Sequence, residues 1–385
     1  MSGRPLLNRR LDGLGTTIFA EMSALALATG AINLGQGFPD TDGPEAIREA
    51  AVRALRDGRG NQYPPGMGVP ELRVAIADHQ RRFYGLYFDP DTEVLVTAGA
   101  TEAIAAAMLA LLEPGDEVIA FEPFYDSYAA SIAMAGGVRV PLTLRAPGFR
   151  PNLDALRAAV TPRTRLLLLN SPHNPTGMVL TRDELTAIAE LAVERDLLVV
   201  TDEVYEHLVF DGEHIPLISL PGMRDRTVSI SSAGKTFSFT GWKVGWVTAS
   251  APLVAAVRTS KQFLTYVASG PFQYAIAEAL RLPDDYYTAF RDDLQTKRDL
   301  LADGLTAAGF EVYRPQGTYF ITTDIAALGE KDALAFCRSL PERCGVVAVP
   351  NSVFYDDPDA GRTQVRFAFC KKQNILKEAA ARLHG

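Results

Sequence analysis

Through its middle the chain alternates short apolar runs rich in β-branched residues with longer runs of helical period. This alternation restricts the fold more than any other feature, because it is the pattern of a parallel sheet covered by helices. Glu93–Thr97 (EVLVT), Asp116–Phe121, Arg165–Leu169, Leu197–Thr201, Arg226–Ile230 and Val244–Thr248 read as strands. Ala100–Leu112 and Leu185–Arg195 read as helices between them. After about Pro271 the pattern changes. A long charged helical stretch runs through Lys297 and Arg298, and strands near Tyr319–Thr323 and Val365–Phe369 flank a helical segment, Asp332–Leu340. A smaller α+β unit is expected there, joined by the N-terminal arm. The expected division is 1–45 for the arm and part of the small unit, 46–275 for the large unit, and 276–385 for the small one.

Composition narrows the function classes. The 385 residues, 47% hydrophobic and 22% charged, suffice for a large core. A formal net charge of −8 argues against a nucleic-acid footprint, which needs a basic stripe to displace phosphate counterions. No stretch reaches the roughly 20 apolar residues of a membrane span, and MSGRPLLNRRLDGLG lacks the apolar run of a signal peptide, so a cytoplasmic protein is expected. Cys337, Cys344 and Cys370 form no CxxC pair, and His79, His173, His207, His214 and His384 show no HExxH spacing. No metal is expected.

Three short segments carry the chemistry, each where a strand gives way to a loop, which is where open α/β sheets place ligands. They are SPHNPTG (Ser171–Gly177), TDEVY (Thr201–Tyr205) and SSAGKTFSFTGWKVGW (Ser231–Trp246). Singly each has a plain reading as a proline-glycine turn, a solvated carboxylate pair or a polar loop. A Walker A reading of Gly234, Lys235 and Thr236 fails because position 229, where the first glycine belongs, is Ser229. The GQG at Gly35–Gly37 likewise does not complete GxGxxG. Occurring together and in this order, the three segments point to chemistry that none of them specifies singly.

With INLGQGFPD (Ile32–Asp40), NQYPPGMGVPELR (Asn61–Arg73), GATEA (Gly99–Ala103), EPFYDSY (Glu122–Tyr128) and QVRFAFCK (Gln364–Lys371), they make a chain that resembles the fold-type I, class I/II pyridoxal-phosphate-dependent aminotransferases almost end to end. Within that family it is most similar to the branch holding kynurenine, methionine and actinobacterial N-succinyldiaminopimelate aminotransferases. The resemblance implies an α/β fold, with a mostly parallel seven-stranded sheet in a large domain and a smaller α+β domain. It also implies a homodimer with a shared active site, and amino-acid and 2-keto-acid substrates.

What the resemblance implies for single residues follows the needs of the cofactor, pyridoxal 5'-phosphate, which takes an amine, a counter-ion, a stacking partner and an anion site. Lys235 supplies the amine for the imine and afterwards the base. Asp202 faces the ring nitrogen, Tyr205 and Asn174 bind the 3'-oxygen, and Tyr125 stacks on the ring. Gly99, Ala100 and Thr101 open the helix whose N-terminus takes the phosphate, with Ser232, Lys243 and Tyr63 of a second subunit. Lys243 stands where many relatives carry arginine, and so supplies a point charge rather than a bidentate clamp. Arg366 binds the substrate carboxylate, assisted by Gly37 and Asn174. The side-chain pocket is expected around Ile18, Phe19, Pro39–Asp42 and Pro350–Phe354, with Asn351 and Ser352 as its polar groups.

The implied reaction moves an amino group from an L-amino acid, glutamate in the nearest branch, to a 2-keto acid such as N-succinyl-2-amino-6-ketopimelate. Methionine or aromatic transamination, and lyase or β/γ-substitution chemistry of the kynurenine aminotransferase/cysteine-conjugate β-lyase kind, use the same residues and stay open at this point. A non-catalytic regulator on the same fold disagrees with the net charge, and no helix-turn-helix extension precedes Leu6.

Overall fold

The computed structural model describes residues 6–15 and 17–384; residues 1–5, where the expected arm begins, lie outside them, as do Thr16 and Gly385. The first strand, β1 (Ile32–Asn33), is short. A seven-stranded sheet then takes β2 (Val94–Thr97), β3 (Glu117–Glu122), β4 (Val138–Thr143), β5 (Thr164–Asn170), β6 (Leu198–Asp202), β7 (Thr227–Ser232) and β8 (Gly245–Thr248). The rest of the chain supplies β9 (Glu311–Tyr313), β10 (Phe320–Asp324), β11 (Val346–Val347), β12 (Val349–Pro350) and β13 (Gln364–Ala368).

The large sheet runs β2-β8-β7-β6-β5-β3-β4. Strands β4, β3, β5, β6 and β7 pair in parallel, and β8 lies antiparallel between β7 and β2. Central strands covered on both faces read as continuous apolar runs, which is why RLLLL becomes strand although leucine favours helices. The reversal of β8 is invisible to periodicity, which carries no direction. Strand β4 was not legible in the sequence either. It is an edge strand, only partly buried, and contains Pro141, a residue sheets tolerate at their edges.

Covering helices start where local chemistry directs them. Arg182–Glu194 opens on a capping box, in which Thr181 and Glu184 satisfy one another's backbone amides. Asp284–Ala307, 24 residues long, follows Pro283 and carries Asp284 and Asp285 in its first turn, where the helix dipole favours anions. That helix packs on Gln373–His384 and against a four-stranded antiparallel sheet ordered β12-β13-β10-β9. Beside it, β1 pairs in parallel with β11, so the arm is stitched to the C-terminal part of the chain. One apolar cluster joins Met22 and Leu34 of the arm, Val204, Tyr205 and Leu208 behind β6, and Leu301, Phe336 and Phe367 of the C-terminal elements.

The three cysteines form no disulfide, and among the described residues no helix is long and apolar enough to cross a membrane. Leu301 is fully buried on the long helix. Leu301→Ala is therefore expected to cost about 2–5 kcal/mol, because the surrounding elements collapse only partly into the cavity left. A urea titration followed by circular dichroism should show the corresponding fall in midpoint.

Candidate active site

The parallel strands deliver their carboxyl ends to one edge of the large sheet, and the segments singled out in the sequence sit there. Register pairs Asn170 of β5 with Asp202 of β6, and Asp202 with Ile230 of β7. Ser232 ends β7, and Lys235 lies in the one-turn helix Ala233–Thr236 that follows. Tyr125 and Tyr128 come three and six residues after the end of β3, and Gly99 opens the helix Gly99–Leu111 just past β2. Lys243 precedes the antiparallel β8 in a left-handed backbone conformation, φ 53°. These ends, the arm at Phe19 and Gln36–Phe38, and Phe320 and Arg366 of the small sheet enclose a cavity of about 320 Å³.

Of the residues singled out, Gly37, Gly99, Ala100, Thr101, Tyr125, Asn174, Asp202, Tyr205, Ser232, Lys235, Lys243 and Arg366 all line this cavity. Tyr63 does not; it is 81% exposed, with its ring edge-on to Tyr266 at 5.3 Å. Ile18 and Pro39–Asp42 are also absent from the lining, and Pro39 and Thr41 border a second cavity behind Tyr319 and Cys370. Asn351 corrects the expectation for the side-chain pocket. It is fully buried outside the cavity, directly after the end of β12, and its amide donates to Thr322 Oγ1 of β10 at 3.1 Å.

Three charged groups face this space without an ion pair among the described residues. Burial lowers the amine of Lys235 to about 8, and its Nζ lies 5.6 Å from the Tyr319 ring centre and 5.8 Å from that of Tyr205. Burial raises the carboxyl of Asp202, partly offset by hydrogen bonds donated by the Tyr128 hydroxyl at 2.6 Å and the Val204 amide at 3.3 Å. Arg366, 1% exposed, donates to Asn174 Oδ1 and to the Gly35 carbonyl, both at 3.0 Å, while its Nε has no partner. Burial brings its guanidinium down to about 10, and the Phe320 ring lies 4.0 Å below it. A buried charge is costly unless something answers it, so each of the three is suited to a ligand of opposite charge.

Backbone fit completes the cavity. The helix Gly99–Leu111 has no side-chain cap, which leaves first-turn amides free for an anion. A Cβ on Gly99, whose φ is +80°, would lie 3.0 Å from Lys243 Nζ, so the glycine lets that ammonium close over the helix start. A Cβ on Gly37 would fall 2.3 Å from Phe320 Cζ, and its carbonyl accepts the Tyr319 hydroxyl at 2.5 Å. Tyr128, Asn170 and Tyr319 were missed in the sequence. Tyr128 stood within EPFYDSY, but nothing local distinguishes a tyrosine that meets Asp202 from one that fills a core.

The profile of the family Aminotransferase class I and II matches residues 29–383. The chain belongs to this family. It is 55% identical, over 97% of both chains, to a probable N-succinyldiaminopimelate aminotransferase of Mycobacterium tuberculosis. The solved N-succinyldiaminopimelate aminotransferase from that organism superposes with a TM-score of 0.96, covering 98% of this chain and 99% of the other. The methionine aminotransferase of Escherichia coli is 43% identical over 100% of this chain and 99% of its own. The fold is thus that of the fold-type I enzymes, and this aminotransferase uses pyridoxal 5'-phosphate. The relatives named are transaminases, so the lyase alternative finds no support in them.

The residues present fit that cofactor. The cavity offers a half-buried amine, a buried carboxylate without an ion pair among the described residues, phenol and amide groups, and an uncapped helix N-terminus beside an ammonium, one for each polar part of the molecule. An amine attacks an aldehyde only when neutral. Lys235, with its pKa brought down to about 8, is largely neutral above that pH and protonated below it. The rate at which added pyridoxal phosphate restores visible absorbance to the stripped protein should therefore rise with pH through about 8 and then level off. A rise still climbing toward the ordinary lysine value of 10.5 would contradict the burial effect.

Proposed function

We propose that this aminotransferase takes its amino group from glutamate and delivers it to an N-succinylated 2-keto diacid, N-succinyl-2-amino-6-ketopimelate. The observation that carries the substrate reading is the 55% identity, over nearly the full length of both chains, to the mycobacterial enzyme named for that substrate. Methionine is the second donor to test, on the strength of the 43% identity to the methionine enzyme.

In this reading Lys235 holds the cofactor's aldehyde carbon, Asp202 its ring nitrogen, Tyr205 and Asn174 its 3'-oxygen, and Tyr125 its face. Gly99, Ala100, Thr101, Ser232 and Lys243 hold the phosphate. Tyr63, exposed on its own protomer, completes that set from a second copy, so the working unit is a homodimer with a shared site; we also assign the protein to the cytoplasm. We assign 46–275 to the large domain, and 1–45 together with 276–385 to the arm and small domain.

The bound cofactor supplies an electron sink that weakens the bonds at the substrate's α-carbon. The protein does the rest. Arg366 fixes the α-carboxylate by charge-assisted hydrogen bonds, and Asn174, already bound to its Nη1, orients the guanidinium. Lys235 Nζ, whose pKa burial lowers to about 8, removes the proton from the α-carbon in its neutral form and returns it on the other side of the exchange. Asp202, held by the Tyr128 hydroxyl, would serve as the counter-ion of the cofactor's ring nitrogen. The aromatic rings of Phe19, Phe320 and Phe354 around Arg366 keep water from the carboxylate site.

Two variants check the assignments. Lys235→Ala should lose the visible absorbance of the bound cofactor and all turnover, and an unchanged spectrum would place the attachment elsewhere. Arg366→Ala should raise KM for the amino donor about 10- to 150-fold, the equivalent of about 1.5–3 kcal/mol for charge-assisted hydrogen bonds, with cofactor affinity nearly unchanged. Equal loss of both would contradict the role. A donor and acceptor panel read by mass spectrometry tests the substrate, and absence of succinylated product with glutamate as donor would refute it.

A further inference from the structure

Behind the cavity, on the far side of the turn that carries Asp202 and Tyr205, lies a buried polar cluster that the mechanism does not use. Three carboxylates fall within five residues, Asp202, Glu203 and Glu206, and all are buried. Only Asp202 lines the cavity. Glu203 accepts from Thr201 Oγ1 at 2.7 Å and lies 3.4 Å from His214 Nε2. Glu206 accepts the Tyr84 hydroxyl on Oε2 at 2.7 Å and the Ser231 hydroxyl on Oε1. Next to it His79 and His207 meet Nε2 to Nε2 at 2.7 Å, packed against Phe83 and Tyr287.

We infer that Glu206 is a positioning residue for the cofactor site, tying the turn that bears Asp202 and Tyr205 to the strand end that bears Ser232 and Lys235. The inference rests on the assignment of those residues proposed above. Its two hydrogen bonds join three separate elements. Tyr84 ends the helix Pro70–Tyr84, Ser231 directly precedes Ser232, and Glu206 directly follows Tyr205. The backbone links are sparse: Glu203 N to the Ile230 carbonyl and Glu206 N to the Glu203 carbonyl, both 2.8 Å. Past the β6–β7 ladder, which ends at the Asp202–Ile230 pair, the Glu206 carboxylate adds its bond from Ser231 to that one backbone link between turn and strand end.

Energetics favour a positional role over a stabilising one. Glu206 forms no ion pair with lysine or arginine among the described residues, and burial pushes its carboxyl up from the usual range. An apolar side chain of similar volume would avoid that cost. Two directed hydrogen bonds give instead what an apolar side chain cannot, one defined distance between turn and strand. A metal reading of the same groups is weaker. His79, His207 and Glu206 offer ligand atoms within 4.8 Å of one another, yet both Glu206 oxygens are engaged by hydroxyls. His79 Nδ1 also lacks the acceptor that orients a metal-bound imidazole.

The test uses holoenzyme carrying Glu206→Gln, Tyr84→Phe or both, with Lys235→Ala as control. The amide of Glu206→Gln keeps one acceptor oxygen, while Tyr84→Phe deletes a single hydroxyl and should fold even if the former does not. Expected is a displacement of about half a pH unit in the visible-absorbance titration of the bound cofactor, with kcat of the amino-donor half-reaction about tenfold lower and KM within about twofold. The double variant should be no worse than Glu206→Gln, since both act through one contact. Wild-type titration and kcat in Glu206→Gln and Tyr84→Phe would overturn the inference, as would a lower melting temperature with the titration unmoved. Visible absorbance surviving in Lys235→Ala would instead sink the attachment site itself, so the two failures are told apart.

Discussion

The parallel register of β5, β6 and β7 is the constraint on which the cavity depends. Sliding one strand by a residue would turn Asp202 from the ligand edge into the helical layer, since strand side chains alternate between faces. Register sets Asn170 beside Asp202, and Asn170 Nδ2 donates to the Asp202 carbonyl at 2.8 Å while its Oδ1 accepts from the Asn174 amide at 2.7 Å. One side chain thereby links two motif segments that lie 28 residues apart, Asn174 and Asp202. The small sheet adds Arg366 from β13, held in register opposite Thr322 of β10.

A second theme is that charge is buried in this molecule where something is to be bound or fixed. Lys235, Asp202 and Arg366 face the cavity with incomplete partners, and burial shifts each toward its neutral form. Such tension is characteristic of sites whose groups are completed by ligand. Glu203 and Glu206 are buried as well, but their hydroxyl donors answer them. The first set is suited to a ligand of complementary charge, and the second to support of the elements that carry it.

The motif segments were legible in the sequence because each is local: a strand that ends in a polar, glycine- or proline-marked loop leaves the same trace wherever its chain neighbours lie. Tyr128, Tyr319 and Asn170 were not legible, since the groups they meet, the Asp202 carboxylate, the Gly37 carbonyl and the Asp202 carbonyl, lie across the sheet or in another element. Asn351 misled for the converse reason: a polar residue near the expected pocket lies instead against Thr322. The reversed direction of β8 and the proline-bearing edge strand β4 escaped a reading based on apolar periodicity alone.

By itself the sequence determined the class of fold and the residue types of the site, because hydrophobic period and the order of SPHNPTG, TDEVY and SSAGKT are properties of the chain as written. Tertiary structure alone decided which side chains meet. It set Tyr128 on Asp202, left Arg366 Nε without a hydrogen-bond partner among the described residues, exposed Tyr63, and gathered His79, His207, His214, Glu203 and Glu206 around the turn that follows Asp202. The physical reason is that these contacts join positions tens to hundreds of residues apart, and the distance between such positions is set by strand register and packing, which no local pattern encodes.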